Sequence, residues 1–99
     1  MNISIKRVSN NEYEVIVNSN ILTTHTVTLS DKVHTNLTND KVTKEQLLDF
    51  SFKFLLDRET NTSILSSFEL TVISRYFSDY EKNVKKWCSS WHRFDTVGQ

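Results

Sequence analysis

The segment from Thr43 to about Glu59 constrains the fold of this 99-residue chain more than any other. It opens with "TKEQ", a capping-box pattern in which the Thr43 and Gln46 side chains each accept a hydrogen bond from the other residue's backbone N–H. The apolar arc after this cap spans about 240° of a helix surface, which is too wide for one buried face. That arc comprises Leu47, Leu48, Phe50, Ser51, Phe52, Phe54, Leu55 and Leu56. We therefore expect a central helix that lies on a sheet and is covered again, by later helices or by a second subunit.

The first 29 residues predict that sheet, because apolar and polar residues alternate in three runs rich in β-branched side chains. The expected inward positions are Ile3, Ile5, Tyr13, Val15, Val17, Thr23, His25, Val27 and Leu29. The runs are separated by "SNNE" and "NSN", both short enough for hairpin turns. Three antiparallel strands are expected, with one buried face and one threonine-rich, charged face in water.

The remaining two thirds of the chain predict helices. Ser30 is placed to cap a short helix over residues 31–37, and a short turn with Ile64, Leu65 and Phe68 comes after the loop "TNTS". A helix near Thr71 is expected to face inward with Val72, Ile73, Tyr76 and Phe77, and "SDYE" at 78–81 is read as the capping box of a last helix to about Phe94. The fold class is thus α+β, a single domain over 1–99 with strands in 1–29, three to four helices on one sheet face in 30–94, and a frayed tail at 95–99.

Composition excludes several functions. The chain has no proline and one glycine, Gly98, so it lacks the glycine-rich loops that bind phosphates or dinucleotides. Twelve basic and twelve acidic residues cancel, so net charge does not steer the protein toward nucleic acid or a membrane. The single cysteine, Cys88, excludes an internal disulfide. A polar, alternating N-terminus and the lack of an apolar run near ~20 residues predict a cytoplasmic protein without a membrane partner.

The last predicted helix has two faces. Tyr80, Val84, Trp87, Cys88, Trp91 and Phe94 fall within about 120° of one another, and Lys82, Lys85, Lys86 and Arg93 fall on the opposite side. The favoured interpretation is that the aromatic face covers the central helix. Otherwise Tyr80, Val84, Trp87, Trp91 and Phe94 form a protein interface, since Trp and Tyr dominate such contacts.

The basic face is the alternative site, for nucleic acid. Lys82, Lys85, Lys86 and Arg93 have the charge to neutralise a few phosphates. Single-strand binders, however, carry aromatic and basic side chains on one surface, and here the two lie on opposite faces. A membrane-surface helix shares the two-faced layout, but the neutral remainder of the chain argues against it.

No catalytic, cofactor or metal site is predicted. Cys88 and His92 have a spacing that suits two zinc ligands, but two more would have to come from His25, His34 or a carboxylate without any supporting motif. A catalytic thiol needs a lowered pKa, whereas the apolar face around Cys88 raises it. His25 is expected to be half-buried and hydrogen-bonded. Arg58 is expected near a helix C-terminus with Glu69 or Asp79 as its partner.

Three segments of the sequence, "FKFLLDRE" at 52–59, "SILSSF" at 63–68 and "VISRYF" at 72–77, precede Tyr80. Together they resemble a family of short bacterial proteins with no assigned activity. Such proteins carry proline after "RE" and after "RYF", where this chain has Thr60 and Ser78. The resemblance implies a shared small fold and brings no catalytic residues. We therefore expect a non-catalytic protein that acts through protein contacts, as a homodimer or an adaptor, with a nucleic-acid-associated regulator as the alternative.

Overall fold

Three N-terminal strands form the antiparallel meander that the alternation predicts. The computed structural model describes the backbone of residues 2–97 and the side chains of residues 2–90. Strand β1 spans Asn2–Arg7, β2 spans Glu12–Asn18 and β3 spans Leu22–Thr28. Val15 of β2 pairs with Ile5 on one side and His25 on the other, so the inward positions of all three strands align. The opposite face carries threonines and charged residues, of which Thr24 and Lys6 are exposed.

A fourth strand, β4 (Ser67–Glu69), corrects the prediction of a three-stranded sheet. It lies parallel to β3, which gives the strand order β1-β2-β3-β4. The Thr26 N–H donates to the Ser66 carbonyl at 2.8 Å, and the Leu70 N–H donates to the Thr28 carbonyl at 3.0 Å. A three-residue strand has one inward side chain, here Phe68, so it shows no alternation from which the sequence could predict it.

Two predicted caps start the first two helices. Helix α1 spans Asp31–Thr38, and the Ser30 side chain accepts a hydrogen bond from the Val33 N–H. Helix α2 spans Lys44–Leu56 and has the complete Thr43–Gln46 capping box, although it ends three residues before the predicted Glu59. Between the helices the chain turns through Asn39 (φ 52°) and Asp40 (φ 60°). Asn and Asp tolerate this left-handed region where glycine is lacking.

The C-terminal part is less regular. A 3₁₀ turn at Asn61–Ser63 precedes β4, and the short helix α3 spans Val72–Tyr76. Helix α4 spans Tyr80–Val97, so it starts two residues after the predicted Ser78 and continues past the predicted end at Phe94. The Asp79 carbonyl accepts the Asn83 N–H at 3.0 Å, and the Glu81 carboxylate bonds the Ser74 hydroxyl rather than closing the predicted capping box. Gly98 and Gln99 lie outside the described residues.

The helices pack on one face of the sheet, and α2 lies at the centre of the core. It contacts β1 of the sheet as well as α1 and α4, which confirms that this apolar helix is covered on more than one side, by other parts of the same chain. Its buried residues are Leu47, Leu48, Ser51, Phe52, Phe54 and Leu55. The Cα radius of gyration of 13.5 Å fits one small α+β domain. Within the described part of the chain, every helix is too short or too polar to cross a bilayer.

Candidate functional site

The aromatic face of α4 closes onto α2 along a contact that we call the α2–α4 seam, formed by Phe50, Ser51, Tyr80, Val84 and Trp87. The Ser51 hydroxyl donates to the Leu47 carbonyl at 2.7 Å, so the Tyr80 hydroxyl, 2.6 Å away, donates to Ser51 Oγ. Burial raises the pKa of Tyr80 far above its ordinary range, which keeps the hydroxyl protonated. Both hydroxyl groups of the seam are therefore hydrogen-bonded within the core.

The predicted protein interface on α4 needs correction at two residues. Tyr80 and Val84 are both 0% exposed in the single chain, so neither has surface with which to contact a partner in this fold. Trp87 is half-buried, and its ring stacks on Phe50 with centroids 4.5 Å apart. The side chains of the other two predicted members, Trp91 and Phe94, lie outside the described residues.

The basic face of α4 is exposed as the helical spacing predicts. Lys82, Lys85 and Lys86 are all in solvent, and the Arg93 side chain lies outside the described residues. The described aromatic rings of α4, those of Tyr80 and Trp87, face α2 instead. A base stacked on either ring would lie away from a phosphate held by these lysines, so the described geometry does not favour single-stranded nucleic acid.

The groups considered for catalysis or metal binding lie in separate places. Cys88 is 4% exposed, and burial raises the pKa of its thiol, which disfavours the reactive thiolate. The His34 Nε2–H donates to the Val42 carbonyl at 2.6 Å, which ties α1 to the segment before α2. Among the described residues, no three His, Cys, Asp or Glu side chains are close enough to hold a metal ion. The His92 side chain lies outside those residues.

His25 is buried and hydrogen-bonded, more completely than the predicted half burial. Its Nδ1–H donates to the Leu65 carbonyl at 2.7 Å, because a carbonyl can only accept. Its Nε2, 2.8 Å from Thr23 Oγ1, therefore accepts the threonine proton in the neutral ring. Asn61 donates to the same Thr23 oxygen at 3.0 Å and to the Ile21 carbonyl at 2.7 Å. This chain of bonds fastens the 60–66 loop to β3.

Beside that loop lies an open apolar cleft of about 320 Å³, which we call the α2–β4–α3 cleft. Its size is within the range of sites that bind small ligands or single side chains. The lining is mostly apolar and includes Leu65 and Tyr76, and its other polar side chains are those of Glu59 and Ser63. The apolar wall residues are Leu55, Ile64, Phe68, Val72, Ile73 and Phe77. Tyr76, which the sequence predicted to face inward, is 70% exposed.

The cleft exists because α3 is too short to cover the end of α2. With five residues, α3 makes little more than one turn and buries Ile73 alone. The His25 network holds the loop against β3, so the loop does not fold over the gap. No sequence motif predicted an open cleft. The crowding of Val72, Ile73, Tyr76 and Phe77 into six residues was the one hint, since a helix this short cannot bury all four.

Arg58 lies beside Phe77 of the cleft lining but does not itself line the cleft. Its Nη2 lies 3.0 Å from the Asp79 carboxylate, which confirms Asp79 as the predicted partner, and its Nη1 donates to the Phe54 carbonyl at 3.0 Å. The guanidinium lies 3.6 Å from the centroid of the Phe54 ring and 5.9 Å from that of Phe77. These contacts join the end of α2 to the start of α4, so the Arg58 guanidinium has its binding partners within the chain.

A second depression, of about 450 Å³, shares Glu59 with the cleft and reaches the turn between β2 and β3. It is lined by residues 19–21 and 59–62 together with Leu56, and Ile21 on its edge is 61% exposed. Glu59 belongs to both depressions and is half-buried. Among the described residues, no cation pairs with its carboxylate. A half-buried acid that forms no ion pair with a described residue therefore lines the cleft.

Comparisons with protein-family models, curated proteins and solved structures found no match for this chain. The resemblance to a bacterial family therefore stays a prediction. Its three segments, 52–59, 63–68 and 72–77, contain all the residues that line the α2–β4–α3 cleft.

Proposed function

We propose that this protein is a non-catalytic cytoplasmic module that binds an apolar side chain of a protein in the α2–β4–α3 cleft. The observation that carries the proposal is the cleft itself, an apolar depression of about 320 Å³ beside large side chains left in water. Leu65 is 47% exposed and Tyr76 is 70% exposed at its rim. Exposed aromatic side chains around an apolar depression are typical of protein-binding sites.

The polar groups of the cleft favour binding over catalysis. Glu59 is the titratable group at the rim besides the exposed Tyr76 hydroxyl, and general acid–base chemistry needs groups held against a substrate with tuned pKa values. The described groups whose pKa is raised by burial, Tyr13, Tyr80 and Cys88, are all absent from the cleft lining. A mostly apolar cleft can bury an apolar side chain away from water, but it lacks the acid and base groups that catalysis requires.

The test is selection of peptides from a random display library on the immobilised full chain, followed by measurement of their affinities. We expect enriched peptides with a large apolar side chain, which bind the Val72→Lys variant at least about tenfold more weakly, because a charge then lies at the cleft wall. Val8→Lys is the matched control, since Val8 is 60% exposed on the β1–β2 turn. Peptides that bind both variants as they bind the wild type would contradict the proposal.

A further inference from the structure

Building on the proposed function, we infer that the partner is a second copy of this chain, in a two-fold dimer that places Tyr76 of each copy in the cleft of the other. The shape of the rim supports this arrangement. Tyr76 lines the cleft and at the same time projects from it with 70% of its surface exposed. In a two-fold interface the same patch must provide both the protruding group and the pocket that receives it. The cleft and its rim residues Tyr76 and Leu65, which we call the patch, provide both the pocket and the protruding ring.

The charges at the rim are also self-complementary. Glu59 lines the cleft three residues after α2 ends, and Arg75 is exposed on α3 next to the lining residue Tyr76, although it does not itself line the cleft. Neither makes an ion pair with another described residue, whereas the neighbouring Arg58 is held by Asp79. In the proposed dimer, the two-fold axis passes through the cleft and Arg75 of one copy faces Glu59 of the other, so the symmetry makes this contact twice. Such a pair adds little affinity when exposed, but it selects the orientation of the partner.

Leu65 extends the patch and completes its apolar part. It is 47% exposed on the loop that the His25 network holds in place, so it is available without rearrangement. The patch is nevertheless small beside the roughly 1,200 Å² that stable complexes bury in total. We therefore expect a weak, reversible dimer, with a dissociation constant between about 1 and 100 µM.

The experiment is sedimentation equilibrium of the full chain at concentrations from about 1 µM to 1 mM, a range that brackets the expected dissociation constant. The wild type should pass from monomer to dimer across this range. Tyr76→Ala should weaken the dimer at least about tenfold, as loss of a central aromatic side chain does. Val8→Ala, at an exposed valine outside the cleft lining, should dimerise like the wild type. A wild type that stays monomeric, or a Tyr76→Ala variant that dimerises equally well, overturns the inference.

Charge reversal tests the pairing across the axis. Arg75→Glu alone and Glu59→Arg alone should each weaken self-association, because like charges then face each other twice. An equimolar mixture of the two variants should recover dimers of mixed composition, since both contacts become attractive again. A pairing of Arg75 with Glu59 inside one chain would gain nothing from mixing. Failure of the mixture to recover therefore overturns the proposed arrangement.

Nuclear magnetic resonance with p-cresol, which has the ring of a tyrosine side chain, separates failure of the dimer from failure of the proposed function. The probe is titrated into the isotopically labelled wild type at a concentration where the chain is monomeric. Amide shifts confined to the cleft residues, in a protein that never dimerises, would retain the binding function and reject the second copy as occupant. Absence of both the shifts and the dimer would reject both proposals.

Discussion

The α2–α4 seam and the α2–β4–α3 cleft both lie against the central helix α2, but the seam is closed and the cleft is open to solvent. In the seam, the 18-residue helix α4 lies against the middle of α2 and removes Tyr80 and Val84 completely from water. In the cleft, the five-residue α3 faces the C-terminal end of α2 and leaves a gap of about 320 Å³. The seam uses about two turns of α4, from Tyr80 to Trp87, whereas α3 supplies little more than one turn.

Two tyrosines, one in each region, have opposite environments. Tyr80 is 0% exposed and its hydroxyl bonds Ser51, whereas Tyr76 is 70% exposed and bonds no described residue. An aromatic residue therefore marks core in one region and a candidate binding surface in the other. Of the predicted interface on α4, Tyr80 and Val84 are buried within the chain, and the exposed Tyr76 makes the α2–β4–α3 cleft the better candidate surface.

The largest expected effect separates these tyrosines directly. Tyr80→Ala should lower the free energy of unfolding by about 3–5 kcal/mol, because it leaves a cavity in the seam. Tyr76→Ala should change it by less than about 0.5 kcal/mol, as surface substitutions do. Denaturant unfolding of both variants at about 0.1 µM, below the expected dissociation constants, measures each chain largely as a monomer. Equal losses for the two variants would remove the distinction between closed seam and open cleft.

The next effect tests what keeps the cleft open. His25→Ala removes the bonds to Thr23 and Leu65 and the packing of the ring on Phe52, so it should cost about 2–4 kcal/mol. Amide hydrogen exchange should quicken in residues 61–66 more than in α4, because the loop loses its anchor to β3. Thr24→Ala, an exposed change on the outer face of the same strand, is the control. Unchanged exchange in 61–66 would show that other contacts hold the loop.

A smaller effect comes from the Tyr80 hydroxyl. Tyr80→Phe should cost about 1 kcal/mol at pH 7, the usual value of one hydrogen bond. Burial raises the pKa of Tyr80 in the folded chain above its unfolded value near 10, so above about pH 10 the unfolded chain loses the proton first. The folded chain then binds more protons, and stability falls as pH rises.

Removal of the hydroxyl should therefore make the alkaline loss of stability shallower, as measured by denaturant unfolding between pH 8 and about pH 11. Burial of Cys88 and Tyr13 adds to the same slope and is unchanged by this substitution. Tyr76→Phe, at an exposed ring, is the matched control. An identical slope for wild type and Tyr80→Phe would mean that the seam opens before the hydroxyl ionises.

The smallest expected effect concerns the basic face of α4. The double variant Lys85→Glu and Lys86→Glu should keep its unfolding free energy within about 0.5 kcal/mol per substitution, because both lysines are exposed. Tryptophan emission of the wild type should be unchanged by mixed oligonucleotides at low salt. Quenching that salt reverses, and that the double variant loses, would instead establish the nucleic-acid alternative.

Much of the fold is determined by local patterns. The alternation in residues 1–29 predicted β1, β2 and β3 with the correct inward side chains, because a half-buried antiparallel strand exposes every second residue. Ser30 and Thr43 predicted two helix starts because a capping side chain bonds its own neighbours. The wide apolar arc of α2 predicted cover on several sides without indicating which element supplies it.

The candidate site could be predicted from none of these patterns. Strand β4 depends on β3, about 40 residues earlier in the chain, through bonds such as Thr26 N–H to the Ser66 carbonyl. The exposure of Tyr76 depends on where α3 ends and how far the loop is held from α2. Strand β4 and the exposure of Tyr76 both depend on contacts between segments about 40 residues apart in the chain. A short window of sequence contains only one of the two segments in contact.

The sequence by itself thus determined which segments become the main strands and helices, and that α2 must be buried deeply. Those properties arise from hydrogen bonds and side-chain periodicity within a few residues. Tertiary structure alone decided that α4 buries Tyr80 and Val84 against α2, whereas α3 leaves the cleft beside the end of α2 open. The physical reason is packing: whether an apolar side chain is core or surface depends on what other elements can reach it, and five residues of α3 do not reach far enough.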